Sequence, residues 1–99
     1  MSTVRVDLRP EARLDLAEAV VWYAQRDVER ALRFVRAFDD RIERLRNFPK
    51  SGEPFQHGTR RLLVTGWPYQ IVYRTVDDYF EVLAVANTNR DQSYWKDRR

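Results

Sequence analysis

A chain of 99 residues, 43% hydrophobic and 33% charged, can bury one core but hardly two, so a single domain over residues 1–99 is expected. The absence of cysteine excludes disulfides and thiolate metal sites and suits a reducing compartment. Eighteen basic residues against 15 acidic ones leave a formal charge of +3, which permits an acidic partner or nucleic acid without demanding either.

Val4, Val6 and Leu8 alternate with polar neighbours, so Thr3 to Leu8 reads as a half-buried first strand. Pro10 followed by Glu11 starts a helix expected to run to about Arg26, because proline has no amide to leave unpaired there and the acid suits the positive helix end. Leu16, Val20 and Tyr23 follow helical spacing, and Leu14, Ala17 and Val21 widen the stripe enough for two faces to be covered. Asp27 reads as the N-cap of a second helix, in which Ala31, Val35, Phe38, Ile42 and Leu45 recur at threes and fours up to about Asn47. Pro49 then disfavours any further helix.

Lys50 to Thr59 has no regular period and reads as a loop. Three strands follow, Arg60 to Thr65, Tyr69 to Thr75, and Phe80 to about Thr88, turned at Gly66-Trp67-Pro68 and at Asp77-Asp78. Asn89 to Arg99 reads as a surface-facing aromatic and basic tail, with one helical turn capped by Asp91. The fold class is therefore α+β, a two-layer β-α-α-β-β-β arrangement with a helical hairpin on a small antiparallel sheet. No apolar run approaches the length of a membrane span, and Arg5, Asp7 and Arg9 interrupt the N-terminus so that no signal peptide is visible; a cytoplasmic protein with no membrane contact is expected.

Few catalytic constellations survive inspection. His57 is the single histidine and lies in the loop, so no His-rich metal site is available; no phosphate-binding glycine motif occurs either, and no metal or cofactor is expected. Asp39-Asp40 and Asp77-Asp78 read as a helix-surface pair and a turn. The arginines from Arg30 to Arg46 interleave with acids, the pattern of a solvated helix face laced with ion pairs. Arg60, Arg61, Arg74, Arg90 and Tyr94 are brought together by adjacent strands as a basic patch on the open sheet face, unless Glu81, Asp91 or Asp97 pair with them. Trp22, Trp67 and Trp95 read as core or rim packing, with base stacking as the lesser alternative for Trp95.

The segment Ala12-Asp15-Leu16, then Tyr23, Leu45-x-x-x-Pro49-x-x-Gly52, Arg60, GWPYQIVYR and VLAVANTNRDQSYWKDR together resemble the RelE/ParE superfamily of bacterial type II toxins over nearly the whole chain. The Tyr-Trp-x-x-Arg ending and the long helix pair look more like the ParE, or plasmid-stabilisation, branch than the ribosome-dependent ribonucleases. The resemblance implies a toxin that inhibits DNA gyrase or topoisomerase and is neutralised in a hetero-oligomer by a cognate antitoxin. Many relatives carry histidine and arginine where this chain has Asn87 and Asn89, and asparagine neither exchanges a proton near neutral pH nor carries charge. No catalytic residue is therefore expected, and Arg60, Arg61, Arg74, Arg90, Tyr94, Trp95 and Arg98 are the candidates for target or antitoxin binding. The alternatives are a RelE-type mRNA endoribonuclease acting on translating ribosomes with Arg60, Arg74, Arg90 and Tyr94, and a detoxified remnant that retains only antitoxin binding.

Overall fold

The computed structural model describes residues 4–90 and 94–98. The expected strand start at Thr3 and the cap at Asp91 lie outside the described residues. Strand β1 (Arg5–Leu8) leads into helices α1 (Pro10–Ala24) and α2 (Val28–Asn47). Strands β2 (Glu53–Pro54), β3 (Arg60–Leu63), β4 (Tyr69–Val76) and β5 (Tyr79–Asn87) follow, and a short 3-10 turn at Lys96–Arg98 closes the chain. The result is the expected α+β fold, with the helical hairpin packed on one face of the sheet.

Both helices begin as their sequences suggest. Pro10 occupies the first turn of α1 with Glu11 beside it, and the Asp27 carboxylate accepts the Glu29 N–H at 3.0 Å to cap α2. Ala31, Phe34, Phe38 and Leu45 form the buried face of α2, whereas only Ala12, Ala19 and Tyr23 are fully buried on α1. The second apolar flank of α1 is not covered: Leu14 is 60% exposed and Val21 53%.

The sheet order is β1-β5-β4-β3-β2. Two features depart from the sequence reading. β1 runs parallel to β5, with Arg5 opposite Tyr79 and Leu8 opposite Val82; every other pairing is antiparallel. A parallel pairing is open to these two strands because the whole helical hairpin and meander lie between them. The loop after α2 also contains a strand, β2, which sets Glu53 against Arg61.

A β-bulge divides the apolar residues of β5 between the two faces of the sheet. Val72 pairs with Ala84 and Tyr73 with Val82, so Leu83 is the extra residue, and Leu83 and Ala84 both join the face away from the helices. On the helix side Ile71, Tyr73, Val82 and Val85 pack with Phe34, Phe38 and Leu45. On the other side Val72, Leu83, Ala84 and Ala86 pack with Trp95 and Phe55. Trp95 therefore folds back into a second core as the apolar cover of that face, while Tyr94, Lys96 and Asp97 beside it stay exposed.

Gly52 fits the same economy of space. Its N–H donates to the Tyr73 hydroxyl at 3.0 Å, and a Cβ at this position would overlap that hydroxyl.

Candidate functional site

The tail end of the sheet is built around Asp15, near the middle of α1. β1 stops pairing with β5 at Val82, so the backbone of β5 beyond that point needs other partners on this edge. The Asp15 carboxylate accepts the Val85 N–H at 3.1 Å, and the Arg98 guanidinium donates to the Leu83 carbonyl at 3.0 Å. The two side chains also join each other, with Arg98 Nη1 at 2.7 Å and Nη2 at 3.3 Å from the two carboxylate oxygens. The Tyr94 hydroxyl donates to Asp15 Oδ2 at 3.3 Å, and Arg98 stacks on the Tyr94 ring.

This cluster shifts the groups within it. Burial of the Tyr94 hydroxyl, reinforced by the Asp15 charge, pushes it up to about 12. Burial alone would lower Arg98, but its hydrogen bonds to Asp15 and the charge of that carboxylate outweigh it and raise the guanidinium above its ordinary value. Beside the cluster, a crevice of about 430 Å³ between α1 and the end of β5 is bordered by Trp22, Tyr23, Tyr69, Asn87 and Arg90.

Arg60, Arg61 and Arg74 lie elsewhere, and each is engaged. Arg60 Nη1 donates to the Gly52 carbonyl at 2.7 Å; Arg61 pairs with Glu53 at 2.6 Å and stacks on Phe55; Arg74 pairs with Glu81 at 2.9 Å. Glu81 is also approached by Arg9 at 3.6 Å. Arg60 and Arg74 border one shallow groove of about 330 Å³ with Phe55, Thr59 and Thr75. Burial raises the neighbouring Tyr73 hydroxyl above its ordinary value, partly offset by the Gly52 N–H that it accepts and by the charge of Arg60.

The expected single patch is thus two groups. Arg74 pairs across from Glu81 near the β4–β5 hairpin, whereas Arg90 follows the far end of β5, with Tyr94 beyond it. Arg60 shares the helix-side row of Leu62 and Tyr73, and Arg61 falls on the opposite face, by strand alternation. Trp95, named among the binding candidates, is fully buried and fills the second core.

The helix-surface ion pairs expected on α2 are absent as well. Among the described residues none of its arginines lies within ion-pair distance of an acid, while Arg30 stacks over Tyr23 and Trp67 and Arg44 over Phe48. His57 is exposed in the loop, its ring edge-on to Trp95 at 6.0 Å, and among the described residues no acidic or histidine cluster is arranged to hold a metal ion. Sequence reasoning quoted Asp15 only as part of a motif and missed what it does. The available signal was an acid placed beside the buried stripe of Ala12, Ala19 and Tyr23.

Two helices on a mixed sheet, closed by a basic aromatic tail, define a small α+β architecture. The family model for the ParE toxin of type II toxin-antitoxin systems, the parDE type, matches residues 6–92, and the chain belongs to that family. A comparison with curated proteins gave no match. Among solved structures, a chain of the chromosomal ParDE toxin-antitoxin system from P. aeruginosa is similar with a TM-score of 0.77 and 20% identity, over 86% of this chain and 96% of that one. The YoeB dimer from Staphylococcus aureus is similar with a TM-score of 0.58 and 13% identity, over 85% of this chain and 95% of that one. At such identities the likeness concerns the fold. No helix among the described residues is long and apolar enough to cross a membrane.

Proposed function

We propose that this toxin acts in the cytoplasm by binding DNA gyrase or topoisomerase, without catalysing a reaction of its own, and that a cognate antitoxin neutralises it in a hetero-oligomer. The observation that carries the non-catalytic reading is the division of the candidate ribonuclease set, with Arg60 and Arg74 on one groove and Arg90 and Tyr94 at the opposite end of β5. Cutting RNA needs proton transfer and charge stabilisation converging on one phosphate. Tyr94 is a poor proton donor or base near neutrality with its hydroxyl at about 12, and Asn87 supplies no proton. Family membership supports the antitoxin. So does the uncovered apolar flank of the hairpin, where Leu14, Val21, Trp22, Val28 and Leu32 are each at least half exposed.

The ribonuclease alternative draws on the groove that Arg60 and Arg74 both border. Induced expression without antitoxin, scored for growth, DNA-damage response and transcript ends, separates the readings. Arrest with DNA damage and intact transcripts is the expected outcome, and purified protein then inhibits gyrase supercoiling. Codon-positioned cuts in mRNA would replace this reading with the ribonuclease, and unimpaired growth at verified expression would leave only antitoxin binding.

A further inference from the structure

The two flanks of α2 differ in charge. At about 100° per residue, Arg30, Arg33, Arg41 and Arg44 fall within an arc of about 80° beside the buried row of Phe34, Phe38 and Leu45. Glu29, Asp39, Asp40 and Glu43 lie around the outer side of the helix, with Arg36 and Arg46 among them. The arginine stripe contains no acid and is about 21 Å long. It overhangs the β3 end of the sheet, from Trp67 in the turn after β3 to Lys50 beyond the end of α2.

The protein itself does not neutralise this stripe. Among the described residues no carboxylate lies within ion-pair distance of these four guanidiniums, and Glu53, which borders the same groove as Arg41, is paired with Arg61 at 2.6 Å. Arg30 rests over Trp67 at 5.6 Å and Arg44 over Phe48 at 4.5 Å, contacts that hold a guanidinium in place without cancelling its charge. Arg41 is half-buried, and its Nε has no acceptor among the described residues. Arg30 and Arg33, and again Arg41 and Arg44, are three residues apart, a spacing at which side chains are neighbours and like charges repel.

We propose that this flank binds the phosphate backbone of duplex DNA, independently of base sequence. Guanidinium forks match pairs of phosphate oxygens, and a stiff row of arginines suits a stiff duplex, whereas a flexible single strand would have to be ordered along it. From Val28 to Asn47 the helix has no serine, threonine or glutamine, so it lacks the neutral hydroxyl and amide groups that would reach the 2′-hydroxyls of RNA. The rings beside it carry arginines over their faces instead of offering open platforms for unstacked bases. The inference goes beyond the topoisomerase reading, because it gives the protein a hold on DNA itself, measurable with no enzyme present.

The test titrates the full chain with a fluorescent DNA duplex of mixed sequence over a range of salt. Binding is expected to weaken with a log–log slope of about −4, as about four neutralised phosphates give. Arg33→Glu/Arg44→Glu, at two exposed positions, weakens it by about tenfold or more and makes the slope shallower by about two. Arg36→Glu/Arg46→Glu, an equal change of charge on the outer flank, alters binding by less than about threefold, and Arg33→Lys/Arg44→Lys retains most of it.

Equal loss in the two charge-reversed pairs, or a slope no steeper than about −1, would overturn the inference. So would tighter binding of a matched RNA duplex or single strand, or displacement by polyglutamate as effective as that by unlabelled DNA at equal charge. Growth arrest with DNA damage from a chain that does not bind the duplex would overturn it and leave the topoisomerase reading standing. Duplex binding through the stripe by a chain that does not arrest growth would do the reverse.

Discussion

On the helix side of the sheet, Ile71, Tyr73, Val82 and Val85 meet Phe34, Phe38 and Leu45 of a twenty-residue helix, with Tyr23 of the other helix beside them. On the opposite side Val72, Leu83, Ala84 and Ala86 are closed over by Trp95, with Phe55 at its edge. Many side chains share the work of burial on the first face, so no single one decides whether it stays dry. The second face depends on one indole, held in place by the Asp15–Arg98 pair that follows it. A small sheet can thus be covered by a layer or by an anchored residue, and the anchored residue is the more vulnerable of the two.

The largest expected effect comes from removing that residue. Trp95→Ala should cost about 3–5 kcal/mol in urea unfolding, the usual range for truncating a fully buried aromatic. It should also speed hydrogen exchange at Leu83 and Ala84, which Phe34→Ala on the helix side should not do selectively. A loss below about 1 kcal/mol would mean that the tail does not close the second core. The indole Nε1 is buried without an acceptor, so Trp95→Phe removes an unmatched donor and should cost much less than the alanine variant.

Asp15→Asn attacks the anchor instead of the cover. Removing one partner of a buried ion pair costs about 3–5 kcal/mol, but these side chains retain 14% and 18% of their exposure, so a loss of about 2 kcal/mol is expected. Arg98→Gln should cost a similar amount, and the double variant less than the sum, because both remove the same contact. Strict additivity in that cycle would show that the pair does not hold the tail.

The two faces also differed in how far the sequence disclosed them. The helices and β4 could be read because their apolar residues repeat at the period of their own secondary structure. β2 could not, since Glu53 and Pro54 carry no pattern and become a strand only through register with β3. In β5 the unbroken apolar run from Val82 to Ala86 hides the phase change at the bulge, so alternation alone assigns Ala84 and Ala86 to the wrong face. In the tail the basic and aromatic composition points to the surface, which hides that Trp95 alone turns inward. The tail's ion pair joins residues 83 apart in the chain, and no local spacing signals such a contact. Of the candidate site, the identities of the arginines were legible, but their division between the two ends of β5 followed from strand register and from acids placed on other elements.

The smallest effect is the one that tests the electrostatics of the anchor. Tyr94 is 41% exposed, yet its hydroxyl lies against Asp15, so burial of that oxygen and the carboxylate charge both oppose ionisation and push it up to about 12 from an ordinary value of 10.0. Any stability this group contributes is fully present below pH 10, where the phenol is neutral in folded and unfolded chains alike. It is lost as pH rises from about 10 to about 12, because the unfolded chain ionises first. The difference in alkaline absorbance between the wild-type chain and Tyr94→Phe isolates this phenol from the buried Tyr23 and Tyr73, which are also raised. That difference titration should centre near 12 and move down toward 10 in an Asp15→Asn background, whereas a centre at 10 in the wild type would detach Tyr94 from the anchor altogether.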